Sequence, residues 1–550
     1  MKFSYTLTDD FPPLAWVATC QPERRTITVL HGHFVETHPH FFVDGAWAGD
    51  FEAGRIQDSD TVFGSGGCLT DGSVTFTSCT ATTDFLYHSD SHDPFCISNS
   101  LPLLLAMLDD ELHIAGKDYS RINMSILDGI HQYQPSIPTR KGHVIRIMHR
   151  NVRLGTDGIT LVDKPLCPEF KQFEDYRDFM QGRIGELFAN ARHPARQNPL
   201  KTFSTQSRGY DSTAVNVLAA PFGIDDIFTS PESKEKQSFY NGKASQTPSD
   251  DGTAICTTLG LPCTQIDRRS FEKKALSAEE YYWAGLDNNA DLNLHEITSY
   301  VRQPTLLLTG QYGEFWYTRE ITGEHRMHYF DDALKKWDLS GHGLSEMRLK
   351  TGFIQATIPV IGSRNRTAIL AITESPEMQT WRLNTHYDRP IPRRIAEEAG
   401  VPREMFGQVK LASIVHLPTP NVPVTPTLRA EFFRHLTKNK LLGRLGIRLL
   451  PVVQWLNNWI YWKNPSRYFN NRRKHPLLWH ISYGWSKLFG QPLRIRMLWP
   501  KLDSYLYAFC VNKVRNEYAG LLAHSRTTTG DANFTNMNSL PAPPEKVLSK

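Results

Sequence analysis

Over the first 165 positions, apolar and polar side chains alternate in short runs such as Thr26-Ile27-Thr28-Val29-Leu30 and Ser73-Val74-Thr75-Phe76-Thr77. Gly-Gly, Asp-Gly and proline turns bound them, so the pattern predicts a β-rich domain. Within it, Leu101–Leu108 follows Ser98-Asn99-Ser100, whose short polar side chains suit a helix N-cap. Two prolines in Asp163-Lys164-Pro165-Leu166-Cys167-Pro168 disfavour regular structure and mark a linker. A helical period follows from Phe173 to Asn190. From 200 to about 315, strand-like runs (Thr202-Phe203-Ser204, Ile227-Phe228-Thr229, Thr305-Leu306-Leu307-Leu308) alternate with helical ones (Ala214–Ala220, Ala254–Leu259), the signature of a parallel sheet covered by helices. The chain to about 420 reads as mostly helical. Pro418, Pro420, Pro423 and Pro426 then form a second break.

The expected architecture has three parts. Residues 1–165 form an α+β, β-rich domain, 170–420 an α/β parallel-sheet domain, and 425–550 a basic, aromatic helical extension. Its end, from about Thr527, is rich in Thr, Asn, Ser and Pro and reads as a mobile tail. A length of 550 residues agrees with several cores rather than one. With 40% hydrophobic and 21% charged residues, disordered, collagen-like and coiled-coil classes are excluded. The net charge of +4 is too small to argue for a nucleic-acid binder. Eight cysteines are scattered without a CxxC pair, which argues against a zinc site and fits a reducing compartment. No signal peptide is read at the N-terminus, and no run approaches the roughly 18 apolar residues of a spanning helix. A cytoplasmic protein is the expectation.

The central chemistry sits in Thr205-Gln206-Ser207-Arg208-Gly209-Tyr210-Asp211-Ser212-Thr213, where a strand ends and the helix Ala214–Ala220 begins. A helix N-terminus offers unpaired N–H groups and a partial positive charge. Gly209 lets backbone approach a phosphate, and Ser207, Ser212 and Thr213 add hydroxyls. Asp211 is out of place beside an anion unless it holds a cation that bridges to the phosphates. An ordinary strand-to-helix turn capped by Asp211 or Ser212 fits the same residues.

This segment resembles the pyrophosphatase (PP) loop of the asparagine-synthetase family, Ser-Gly-Gly-x-Asp-Ser-Ser/Thr. Ser207, Gly209, Asp211, Ser212 and Thr213 match, while Arg208 stands where the family has glycine. Thr309-Gly310-Gln311-Tyr312-Gly313-Glu314 resembles the family's second loop, Ser-Gly-(Glu/Asp)-Gly-x-Asp-Glu. There Thr309, Gly310 and Gly313 match, and Glu314 stands near a metal-binding aspartate. Lys410, after the basic stretch Ile391–Arg403, fits the family's late functional lysine. The resemblance implies an ATP-dependent ligase that adenylates a small-molecule or carrier-linked carboxylate and joins it to an amine. It implies ATP held by Ser207, Arg208, Gly209, Asp211, Ser212, Thr213, Thr309 and Gly310, magnesium (Mg2+) shared by Asp211 and Glu314, and catalytic roles for Lys410 and Glu314. The departures at Arg208, Gln311 and Glu314 leave open an alternative, a degenerate domain that binds nucleotide or scaffolds a biosynthetic complex.

The front domain resembles, in outline, the glutaminase domain of the same family, through Val62–Gly66 and Phe95–Pro102. Lys2 follows Met1 where that domain has its nucleophilic cysteine, and Cys20 is the first cysteine. The resemblance therefore implies a front domain without glutaminase activity, as in β-lactam synthetases. Between Leu428 and His475, eleven Lys and Arg residues face only Glu431, with Trp455, Trp459, Tyr461 and Trp462 among them. This cluster reads as a solvated, core-covering face, a peripheral membrane patch, or a contact for an anionic polymer.

Overall fold

The computed structural model describes residues 1–21, 25–70, 72–90, 94–231, 249–273, 276–285, 292, 294–316, 341–383, 388–406, 422–452, 488 and 502–529. The β-rich region is a sandwich. One sheet has seven strands, in the spatial order Lys2–Leu7, Thr26–His31, Trp16–Gln21, Phe95–Ser98, Leu86–Ser89, His143–Ile147 and Ser136–Pro138. Only its edge strand, Lys2–Leu7, pairs parallel to its neighbour. The second sheet has six strands, from Gly158–Val162 through Ser73–Thr77 to Glu36–Thr37. Alternating side chains of both sheets meet in one dry layer that contains Trp16, Val29, Phe42, Val74, Phe76, Phe95, Ile97 and Val152. The expected strands Thr26–Leu30 and Ser73–Thr77 lie in these sheets. The expected helix forms as Leu101–Met107, with Ser100 Oγ accepting from Leu103 N at 3.2 Å. Asp163 to Gln172 carries no helix or strand.

The middle region holds a five-stranded, wholly parallel sheet. Its spatial order is Thr264–Gln265, Asp226–Thr229, Lys201–Thr205, Thr305–Thr309 and Phe353–Thr357. Counted along the chain this is 3-2-1-4-5, so the winding reverses between Lys201–Thr205 and Thr305–Thr309. Phe353–Thr357 departs from the helical expectation beyond 315. It is buried throughout and pairs in register with Thr305–Thr309. Its central Gln355 interrupts the apolar run and disguised the strand, but Gln355 is tied to Gln311 in the neighbouring loop.

The three regions share one hydrophobic core. The long helix Leu502–Thr529 buries Leu506, Tyr507, Cys510, Val511, Val514 and Tyr518 against Leu101–Met107 and Glu279–Ala284. Asn512 bonds both ways with the backbone of Leu112, at 2.8 and 3.0 Å. The helix Pro426–Lys438 buries Leu428, Phe432 and Leu436 and leaves Arg434 and Lys438 exposed. Trp455, Trp459, Tyr461 and Trp462 lie outside the described residues. No described helix is long and apolar enough to cross a membrane.

A polar seam crosses from the sandwich to the parallel sheet. Arg348, fully buried, pairs with Asp84 at 2.5 Å and lies 3.7 Å from Asp44. Glu346, also buried, accepts from Ser100 Oγ at 2.8 Å and Leu101 N at 3.1 Å, so it caps a helix of the other region.

Candidate functional site

The winding reverses between Lys201–Thr205 and Thr305–Thr309, and the carboxyl ends of strands at such a reversal are where open α/β sheets receive ligands. Both glycine-bearing loops emerge there. The first leads into the helix Tyr210–Ala219, whose N-cap, Gly209, makes no side-chain cap. The first-turn N–H groups are therefore not capped by a side chain of that residue.

The loop is held by its own polar groups. Ser207 Oγ and Ser212 Oγ lie 2.9 Å apart, and Ser212 Oγ accepts from Ser207 N at 3.1 Å. Ser207 Oγ also accepts from Gly209 N at 3.0 Å, and Thr213 Oγ1 donates to Gly209 O at 2.9 Å. Beneath it, the buried Gln206 donates to Ser207 O at 2.6 Å and to Thr213 Oγ1 at 2.8 Å, and accepts from Asn216 at 2.7 Å. Arg208 N donates to Asp250 Oδ1 at 3.0 Å, and its Nε donates to Met405 O at 3.1 Å. Arg208 thus fastens the loop to the Arg403–Met405 turn. Burial raises the Asp250 carboxyl above its usual range, against the pull of Arg268 at 3.5 Å.

The second loop lies directly on the first. A Cβ on Gly310 would stand 2.7 Å from Ser212 N and 2.9 Å from the Asp211 carbonyl carbon, and one on Gly313 would overlap the Asp211 carboxylate. Only glycine permits this approach. Between them Tyr312 takes a left-handed φ of 65°, a strained conformation for its residue type. Asp211 and Glu314 face the same side chain. They converge on a cation that the sequence did not announce, the fully buried guanidinium of Arg389. One terminal nitrogen pairs with Asp211 Oδ2, and the other lies 3.4 Å from Glu314 Oε1.

Arg389 directly precedes the helix Pro390–Glu398, which packs beside Tyr210–Ala219 with Arg393 over the Tyr210 ring at 4.6 Å. Asp388, also buried, accepts from Arg393 at 3.0 Å and from Leu383 N at 3.1 Å, and it fixes that helix start. Magnesium is commonly held by one or two carboxylates and completed by phosphate oxygens and water. Asp211 and Glu314 are such a pair, but one oxygen of each already faces Arg389. Among the described residues no group of three metal-binding side chains exists. The arrangement present fits a guanidinium between these carboxylates and does not fit a divalent ion there as well.

Three further polar atoms at this edge are buried without hydrogen-bond partners among the described residues: Asp211 Oδ1, Thr309 Oγ1 and Thr357 Oγ1. Thr309 and Thr357 are paired residues at the ends of adjacent strands. Other buried atoms of this kind occur among the described residues, Thr77, Thr82 and Thr83 of the sandwich included, so these three do not by themselves mark a ligand site. Lys410 lies outside the described residues. In the sandwich, Cys20, Cys68, Cys79 and Cys96 are buried, and burial raises every one of these thiols. None has the exposed, low-pKa character of a nucleophile. Gln206, Asp250, Thr357 and Arg389 escaped sequence reasoning. A signal for Arg389 existed in Asp388-Arg389-Pro390, a charged pair directly before a proline that starts a helix.

No protein-family model matches the chain, and no curated protein matches it either.

Proposed function

We propose that the chain is an ATP-dependent carbon–nitrogen ligase that adenylates a substrate carboxylate and passes the acyl group to an amine. One observation carries this reading: two glycine-bearing loops meet at the switch point of a 3-2-1-4-5 parallel sheet and gather Asp211, Glu314 and Arg389 beside an uncapped helix N-terminus. In the reaction the substrate carboxylate oxygen attacks the α-phosphorus of ATP, and pyrophosphate leaves. The amine then attacks the acyl carbon, AMP leaves, and the amine's proton passes to solvent. The chain's work is positioning and charge neutralisation, which are large terms in such chemistry. First-turn N–H groups of Tyr210–Ala219 bind phosphate oxygens, Ser207, Ser212 and Thr213 shape the loop, and Arg389 holds Asp211 and Glu314 in place. Thr309 and Gly310 hold the second loop against the first. Lys410 is assigned to the pyrophosphate by the family resemblance. Magnesium arrives on the phosphates of the nucleotide.

The buried thiols of the sandwich support a front domain that hydrolyses no glutamine, so the amine comes with a second substrate or from solution. The engagement of both carboxylates by Arg389 favours a second reading, a site that binds nucleotide and scaffolds a complex without turnover.

The test is calorimetric ATP binding, followed by pyrophosphate release across a panel of carboxylates with an amine. Binding that is lost in Asp211→Ala, with carboxylate-dependent pyrophosphate release, is expected. Binding without release under any carboxylate favours the scaffold, and no binding at millimolar ATP overturns the nucleotide reading.

A further inference from the structure

Arg389 is fully buried, while the side chains of Asp211 and Glu314 keep 19% and 23% of their exposure. The carboxylates therefore reach solvent, and the guanidinium lies behind them. Its backbone has little freedom. Pro390 follows it, Pro392 stands two residues further on, and the preceding Asp388 is held by Leu383 N, Arg393 and, at 3.4 Å, Arg382. An ion buried in this way is tolerable only when it is paired, and the fork of a guanidinium can address two carboxylates at once. That is the job a divalent ion does when it bridges two carboxylates. A Mg2+ placed there as well would face the guanidinium across the same oxygens.

We propose that Arg389 is the resident cation of this site, a covalently attached group that bridges Asp211 and Glu314 in place of a protein-bound divalent ion. The proposal rests on the nucleotide reading above for its purpose, but not for its geometry. Arg389 acts as a positioning residue: it holds the two loops at one separation and fixes where the two carboxylates point. Any magnesium that enters stays on the nucleotide phosphates and its own waters, so removing it leaves nucleotide affinity nearly unchanged.

The experiment uses the full chain and Mn2+ alone as the probe, followed by the paramagnetic resonance signal of free Mn2+. Wild type is expected to show no Mn2+ site that depends on Asp211 at millimolar metal. Arg389→Gln, which leaves two carboxylates without their cation, is expected to gain affinity by about tenfold or more. Adding Asp211→Asn to that variant removes the gain, and Arg389→Lys, which keeps the charge without the fork, is expected to gain less affinity than Arg389→Gln. A wild-type Mn2+ site that is lost in Asp211→Asn overturns the proposal. Should Arg389→Gln not fold, wild-type ATP binding with and without a chelator decides: a change of less than about threefold supports the resident cation, and abolition by the chelator overturns it. If ATP fails to bind under both conditions while the Mn2+ results come out as expected, the nucleotide reading falls and the resident cation stands.

Discussion

Replacing Glu346 with Gln should make the protein more stable at neutral pH, and the gain should vanish in acid. Glu346 is fully buried where the sandwich meets the parallel sheet, and burial pushes its carboxyl from an ordinary 4.5 up to about 7, against the pull of Ser100, Leu101 N and Arg348. The folded chain therefore holds this proton more tightly than the unfolded chain does. The resulting stabilisation is complete below pH 4.5, declines as pH rises, and is gone above about 7. Each pH unit between the two values is worth about 1.4 kcal/mol, so wild type forfeits about 3 kcal/mol across this window through Glu346 alone. Gln keeps an acceptor for Leu101 N, now 3.1 Å from Oε1, and offers Ser100 Oγ a donor. It cannot ionise. Urea unfolding followed by tryptophan fluorescence at pH 4.5 and pH 8 provides the comparison. The two proteins should match in acid, and the variant should be more stable by about 3 kcal/mol at pH 8. Parallel stability curves, or a more stable wild type at pH 8, would refute the argument from burial.

Other perturbations test other parts of the molecule. Gly310→Ala places a Cβ 2.7 Å from Ser212 N and should part the two loops, lowering ATP affinity by about tenfold or more in calorimetry. Asp211→Asn removes one of the carboxylates facing the buried Arg389, and urea unfolding should show a loss of roughly 3 kcal/mol. Leu506→Ala, at a position 1% exposed, should cost about 2–5 kcal/mol by the same measurement. Cys263, half-buried, has its thiol lowered by a hydrogen bond from Cys256, whose own thiol rises. Mass spectrometry after brief iodoacetamide treatment should find Cys263 modified before Cys256, and Cys256→Ala should slow that reaction.

Local patterns carried much of the fold. The alternation at Thr26–Leu30 and Ser73–Thr77 announced strands because one face of each is dry. The runs at Thr202–Ser204 and Thr305–Leu308 announced parallel strands because both faces are covered. The two loops were legible as well, since close backbone approach demands glycine at 310 and 313 whatever lies opposite. What lies opposite was not legible. Arg389 stands 75 residues beyond Glu314, and no spacing rule links a helix start to a carboxylate that far back. Phe353–Thr357 was hidden because Gln355 serves a tertiary hydrogen bond rather than the strand's apolar period. The C-terminal helix read as an appendage, since a stripe of Leu506, Cys510, Val514 and Tyr518 states that a face is buried without naming its partner.

The docking of Leu502–Thr529 onto Leu101–Met107 also sets a timetable for the newborn chain. Leu112 and Asn512, bonded in the finished molecule, are 400 residues apart. At roughly 5–20 residues per second, the apolar face of Leu101–Met107 waits on the order of 20–80 seconds at the ribosome before its cover is made. During that interval the sandwich is a complete sheet pair with an open flank, which is the kind of surface that chaperones bind.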